Sequence, residues 1–226
     1  MMNEMNIPAS LLRRVGADLE PVTPLPAPSR RLLALMPLTL VLFFGPSICW
    51  GWRTNLAMLP VWTSFGLSAL QSLGGVGLMA LALRQAVPGL AIPARWLGLA
   101  FIGAVLLFVA VSVTTALVLP TPLQDPRSAS RLAWECVFME LQFALPSIVI
   151  SAWLVARALP TRPALTGAAY GLSVALMTDA GMRLFCWIDQ PSHLFAAHGG
   201  AIVFGAGGGA LIAALIERIK YRRLQN

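Results

Sequence analysis

The residues best suited to chemistry in this chain of 226 residues are its cysteines and the acids and histidines that accompany them. Cys136 and Glu140 are four residues apart, so they share one face if their segment is helical. Two adjacent thiols can form a disulfide, and thiolates with imidazole or carboxylate can bind a soft metal ion. The sequence has neither a C-x-x-C nor an H-x-x-x-H motif, so both chemistries remain open. The candidate sensor thiols are Cys136 and Cys186, their candidate neighbours are Glu135, Glu140, Asp179, His193 and His198, and the candidate metal ligands are Cys136, Cys186 and His198.

The same residues do not predict an enzyme. Ser173 and His198 are similar to a serine–histidine protease dyad, but at about 1.5 Å per residue Ser173 lies about 15 Å below the end of its predicted helix. His198 starts its own helix near that end, whereas a catalytic base must lie within about 3 Å of its nucleophile. Because no phosphate-binding loop is present either, we expect no catalytic site. We expect no cofactor beyond transient heavy-metal binding at the cysteine pair.

The composition places these residues in a membrane protein. Hydrophobic residues make up 58% of the chain and charged residues only 11%, whereas a soluble domain carries about 25% charge. A membrane-spanning helix needs about 20 mostly apolar residues. Six segments meet this requirement, which predicts an all-α bundle of six transmembrane helices over residues 32–217. The predicted spans are 32–50, 57–83, 96–119, 132–156, 164–182 and 198–217.

The basic residues predict how this bundle lies in the membrane. Of the 16 lysines and arginines, twelve fall in the two terminal tails and in the second and fourth connections, and four fall in the other three connections. Cytoplasmic loops of membrane proteins carry such an excess. We therefore expect both termini in the cytoplasm and the bundle in the lipid bilayer. The net charge of +7 follows from this topology and does not indicate a nucleic-acid partner.

Depth in the membrane then locates the thiols. Cys136 lies 20 residues, or about 30 Å, from the cytoplasmic end of its span, which is the outer rim. Cys186 falls in the outer loop between spans 5 and 6. Cys49, near the outer end of span 1, is expected to be a small buried hydrophobe. His193 is expected in a loop that is exposed to water.

Two glycine pairs predict where helices come close together. Gly167 and Gly171 are four residues apart in the fifth span, and Gly205 and Gly209 are four apart in the sixth. Without side chains, two helix backbones can approach closely in lipid. We expect these pairs to have a packing role.

Residues 1–31 differ from the remainder of the chain, and residues 218–226 form a short basic tail. Apolar residues recur at helical spacing between residues 7 and 19, which predicts a short amphipathic helix on the cytoplasmic side. Four prolines between Pro21 and Pro28 predict an extended spacer of about 3 Å per residue. The apolar stripe is equally consistent with a helix lying on lipid and with a docking helix for a soluble protein. The stripe consists of Ile7, Leu11, Leu12, Val15 and Leu19.

The run from Leu11 to Arg31 resembles the start of the NrsF family. The family has an Asp-Leu-x-Pro-Val element, a proline-rich spacer and a basic pair before its first span. Asp18 to Val22 matches the element, and Arg30 and Arg31 match the basic pair. Cys136 in the fourth span and Cys186 after the fifth also resemble the family pattern, so the resemblance covers nearly the whole chain.

This resemblance implies a membrane anti-sigma factor of six spans. The cytoplasmic tail would hold an extracytoplasmic-function sigma factor at the inner membrane. Metal or oxidative stress on the outer side would alter Cys136 and Cys186, and the bundle would then release the sigma factor. The implied sigma-binding residues are Ile7, Leu11, Leu12, Val15, Asp18 and Leu19. The alternative from another class is a small-solute transporter or channel.

Overall fold

The computed structural model describes residues 10, 13, 16, 24–118, 126–158 and 160–225. This part of the chain is helical and contains no strand, in agreement with the predicted all-α class. Ser10, Arg13 and Gly16 are helical and exposed, but the apolar stripe and Asp18 lie outside the described residues. The long helices are α1 (Pro28–Trp50), α2 (Leu67–Gln85), α3 (Ala94–Val118), α4 (Pro126–Ala156), α5 (Pro163–Phe185) and α6 (Gly199–Gln225).

Short helical turns precede two of the long helices. A π-helical turn over Trp62–Gly66 leads into α2. A single α-helical turn over Pro191–His193 is followed by a π-helical turn over Leu194–His198, which leads into α6. Single π-turns of this kind are frequent at functional sites. The second of them contains His198, and His193 directly precedes it.

Five helical segments in the described part are long and apolar enough to cross a membrane. They are Pro28–Trp50, Trp62–Gln85, Ala94–Val118, Arg131–Ala156 and Pro191–Arg222. Length and composition therefore indicate a membrane protein, but the predicted count of six spans is not confirmed. The exception is α5, which has 23 residues and occupies the place of the predicted span 164–182.

Helix α5 is the centre of the bundle. Every residue from Ala169 to Leu184 is buried, and α5 packs against α1, α2, α4 and α6. Large apolar side chains such as Ile48, Leu117 and Phe138 point outward instead. A polar interior inside an apolar surface suits a bundle surrounded by lipid, where polar groups must find partners within the protein.

The two glycine pairs lie where α5 and α6 cross. A Cβ on Gly171 would overlap the carbonyl oxygen of Gly205, and a Cβ on Gly167 would overlap that of Gly209. Tyr170 donates a hydrogen bond of 3.1 Å to the same Gly209 carbonyl. The predicted packing role of the glycines is therefore confirmed, because backbone contacts backbone at this crossing.

Gly171→Ala is expected to destabilise the bundle. The added methyl group meets backbone atoms of α6, which cannot rotate away as a side chain can, so the helices must separate. Overpacking of this kind costs about 1–3 kcal/mol. Thermal unfolding of the purified protein in detergent micelles measures the change. Gly207→Ala is the matched control, because a Cβ there has no atom within 4 Å; equal melting temperatures for the two variants would contradict the prediction.

The bundle has two distinct ends. At one end, which we call the base, Arg31 donates to the carbonyl of Leu154 and Lys220 donates to that of Ala156. The start of α1 and the ends of α4 and α6 therefore meet at the base. At the other end, which we call the rim, an ion pair of 2.7 Å between Arg53 and Asp189 joins the loop after α1 to the loop after α5.

Candidate functional site

The two candidate thiols meet at the rim. Cys136 lies in α4, and Cys186 caps α5, where its N–H donates to the carbonyl of Met182. Their Sγ atoms are 3.8 Å apart, and both side chains are buried. Helix α5 brings Cys186 to this position because it ends only at Phe185, three residues beyond the predicted span.

Both histidines join the thiols. The Nε2 atom of His193 lies 3.4 Å from the Sγ atom of Cys186. The two imidazole rings are 5.3 Å apart between centroids. A π-turn closes over five residues, so it places residues five apart on the same side of the chain, which an α-helix would not do. His193 is only 3% exposed, so the expectation of a water-exposed loop histidine was wrong.

His198 connects the thiols to two buried carboxylates. Its Nδ1 atom lies 2.7 Å from an oxygen of Asp179 and 3.6 Å from an oxygen of Glu140. All three side chains are almost fully buried. In so dry a setting a charge is tolerated only with close partners of opposite charge or good hydrogen bonds.

The second carboxylate oxygen of Asp179 accepts hydrogen bonds from one residue of a neighbouring helix and one residue of its own helix. Gln71 of α2 donates to it at 2.5 Å and Arg183 donates at 3.2 Å. Arg183 also donates to Thr115 at 3.1 Å and to Ser112 at 2.7 Å, both on α3. A continuous polar network therefore runs from the histidines through α5 to α2 and α3, inside the bundle.

The loop that carries Cys186 is anchored at both sides. Arg53 donates to Asp189 at 2.7 and 3.4 Å, and its own N–H donates to the carbonyl of Leu184 at 3.0 Å. The side chains of this ion pair are each 2% exposed. Breaking a buried pair from one side costs about 3–5 kcal/mol, so the loop geometry is well determined.

The surroundings of Cys186 favour its thiolate. The hydrogen bond with Cys136 holds the pKa of the Cys186 thiol well below its usual range, and contacts with His193 and His198 act in the same direction against burial. The thiolate is the form that attacks oxidants and binds metals. Cys186 is therefore the more nucleophilic thiol of the pair, and it suits either disulfide formation with Cys136 or metal ligation.

Not every predicted neighbour belongs to this cluster. Glu135 is exposed and pairs with Arg131 at 3.1 Å on the outer face of α4. Cys49 is exposed on α1, so it is not the buried hydrophobe that the sequence suggested. Ser173 donates to the carbonyl of Gly75 at 2.6 Å, which places its hydroxyl in helix packing rather than in a dyad with His198.

The hydrogen bonds that Gln71, Ser112 and Thr115 make to the cluster were not predicted, because an isolated polar residue in an apolar helix does not indicate its partner. It also treated Arg183 as a loop residue. The spacing of Asp179 and Arg183, four residues apart, is the one signal that could have indicated an ion pair on a continuing helix. The five-residue spacing of His193 and His198 is unfavourable for metal binding on an α-helix and becomes favourable only with the π-turn.

One family of known proteins matches most of the chain. The model of the NrsF family, described as negative regulator of sigma F, matches residues 16–218. No curated protein and no solved structure matches the chain. The matched range contains the long helices up to residue 218 and all residues of the rim cluster.

Proposed function

Because the chain belongs to the NrsF family of negative regulators of sigma F, we propose that it holds an extracytoplasmic-function sigma factor at the bacterial inner membrane. It releases the sigma factor when the thiol pair at the rim responds to metal or oxidative stress. The family match over residues 16–218 is the observation that carries this proposal. The protein acts by binding and release rather than by catalysis.

The orientation of the bundle places the stress-sensing thiols and the sigma factor on opposite sides of the membrane. With the basic tails in the cytoplasm, the base faces the sigma factor and the rim faces the periplasm. The tail enters α1 at the base, close to the ends of α4 and α6. Alkaline phosphatase fused after Gln124 tests this orientation, since the fusion is active only if that loop is periplasmic.

The rim cluster suits a thiol sensor. Cys136 and Cys186 lie on different helices at an Sγ–Sγ distance of 3.8 Å, and a disulfide shortens that distance to about 2.05 Å. Disulfide formation removes two protons and two electrons, which an oxidant such as a peroxide accepts. A thiophilic metal ion that binds both sulfurs constrains the same two helices without a redox step.

Release of the sigma factor requires that a structural change at the rim alters the packing at the base. Cys136 is on α4 and Cys186 ends α5, and α1 packs against both helices. Gly181 of α5 allows this contact, because a Cβ there would overlap the Leu42 carbonyl of α1. A displacement of α5 at the rim therefore changes the packing of α1, whose first residues follow the proline-rich spacer.

Membrane recruitment of a sigma factor tests this function. Each extracytoplasmic-function sigma factor of the source genome is expressed with the full-length chain and followed by membrane fractionation. We expect one of them to sediment with the membranes only when the chain is present, and to become soluble after oxidant or thiophilic metal is added. If every sigma factor stays soluble in unstressed cells, the anti-sigma function is wrong.

A further inference from the structure

We propose that Cys136, Cys186, His193 and His198 form a tetrahedral site for a d¹⁰ metal ion of the Zn²⁺ class, which the resting protein holds at its rim. The site itself follows from the geometry of the cluster. The role of this metal in regulation rests on the proposed function, in which the metal-bound protein is the unstressed form of the sensor. His193 extends the ligand set predicted from the sequence.

Two of the six distances among the donor atoms match the edges of a tetrahedron around zinc. Zinc lies about 2.3 Å from thiolate sulfur and about 2.0–2.1 Å from imidazole nitrogen. A regular tetrahedron with these bonds has sulfur–sulfur edges of about 3.8 Å and sulfur–nitrogen edges of about 3.5 Å. The Cys136–Cys186 distance is 3.8 Å and the Cys186–His193 distance is 3.4 Å. One donor atom from each of the four residues lies within 4.8 Å of all the others.

The surroundings of the two ring nitrogens of His198 support the same assignment. Its Nδ1 atom faces Asp179 at 2.7 Å, so a proton on Nδ1 leaves Nε2 as the ligating atom. Nε2 is buried and makes no hydrogen bond of good geometry among the described residues. The other ring nitrogen of a ligating histidine almost always faces a carboxylate or carbonyl, and the 2.7 Å approach of Nδ1 to Asp179 has this arrangement.

The donor types select the metal. Two thiolates and two imidazoles favour Zn²⁺ or Cu⁺ over Mg²⁺ and Ca²⁺, which prefer oxygen ligands. Glu140, Asp179 and His198 also lie within 4.8 Å of one another, which suggests a rival site with carboxylate ligands. Asp179, however, already accepts hydrogen bonds from Gln71 and Arg183, so it orients His198 and is poorly placed to ligate.

A metal at this position would link three parts of the bundle. Cys136 comes from α4, Cys186 from the end of α5, and both histidines from the turns before α6. Oxidation of both thiolates to a disulfide passes two electrons to the oxidant and removes both sulfur ligands, so the ion leaves. A more thiophilic ion would displace zinc without any redox change.

The test uses the full-length protein purified in detergent micelles under reducing conditions. Zinc per chain is measured by mass spectrometry, and Co²⁺ replaces zinc as a spectroscopic probe. We expect one ion per chain, tetrahedral visible bands of Co²⁺, and thiolate-to-cobalt charge transfer. X-ray absorption at the zinc edge should give two sulfur neighbours at about 2.3 Å and two nitrogen neighbours at about 2.0–2.1 Å.

Two ligand variants and one control make the result specific. Cys136→Ser and His193→Gln are each expected to weaken metal binding at least tenfold and to change the Co²⁺ spectrum. Cys49→Ser is expected to bind as the unsubstituted protein does, because this exposed thiol is not a donor of the cluster. Elution volume and circular dichroism establish that each variant is folded.

Three outcomes would overturn the proposal: less than stoichiometric zinc in the reduced protein, an unchanged Co²⁺ spectrum in His193→Gln, or a zinc shell of oxygen and nitrogen alone. These outcomes are independent of the sigma factor. Stoichiometric zinc in a protein that recruits no sigma factor would contradict the proposed function and leave the metal site standing. Recruitment and stress release in a protein without zinc would contradict only the metal site.

Discussion

Cells that carry Cys136→Ser or Cys186→Ser are expected to show equal transcription from sigma-dependent promoters before and after exposure to an oxidant or a thiophilic metal ion. Serine can neither form a disulfide nor hold a soft metal, so the stress has no group to act on. We therefore expect the induction ratio to fall to about one. A promoter fusion measures this ratio in strains with matched protein levels in the membrane.

The control for this result is Cys49→Ser. Cys49 is exposed on α1, whereas Cys136 and Cys186 are buried 3.8 Å apart, so the control should retain full induction. Normal induction in both Cys136→Ser and Cys186→Ser would show that the signal does not act through this pair. Equal loss of induction in Cys49→Ser would show a general effect of thiol removal.

Leu12→Asp combined with Val15→Asp is expected to release the sigma factor without stress. Each of these side chains, if buried against a partner, stabilises the complex by about 1.5–3 kcal/mol. Loss of both therefore weakens binding by at least about 100-fold, because 1.4 kcal/mol is a factor of ten. We expect high transcription in unstressed cells and a sigma factor that no longer sediments with the membranes.

A charge on the opposite side of the same segment is the matched control. Ser10 is helical and exposed, and at about 3.6 residues per turn it lies away from the apolar stripe. Ser10→Asp adds the same charge as either stripe substitution and should leave repression intact. If the double variant still represses, or if its tail merely loses affinity for anionic vesicles, the stripe is a lipid-binding surface and the sigma factor binds elsewhere.

Much of the architecture was predictable because it depends on local composition. Apolar runs between charged residues predicted long helices, and each predicted span overlaps one long helix of the described chain. The boundaries were less accurate at α5, where Asp179 and Arg183 appeared to end the span. Those charges instead lie within the helix, because they pair with each other and the neighbouring helices α2 and α3 supply further hydrogen bonds.

The site was predictable only in part. Cys136 and Cys186 stood out because thiols are rare in this chain and both fall near one end of the bundle. Glu135 is adjacent to Cys136 in the sequence but points outward from α4, because consecutive residues of a helix point about 100° apart. The burial of His193 depends on a π-turn that no periodicity indicated.

The sequence alone determined that the chain forms long apolar helices, that basic residues lie in alternate connections, and that Cys136 and Cys186 sit near the same end of the bundle. These features follow from the order of residues along single segments. Only the tertiary structure decided that two histidines join the two thiols and that Asp179 supports them from within α5. This arrangement depends on close helix packing and on one π-turn, because buried polar groups on different helices need hydrogen-bond partners within the protein.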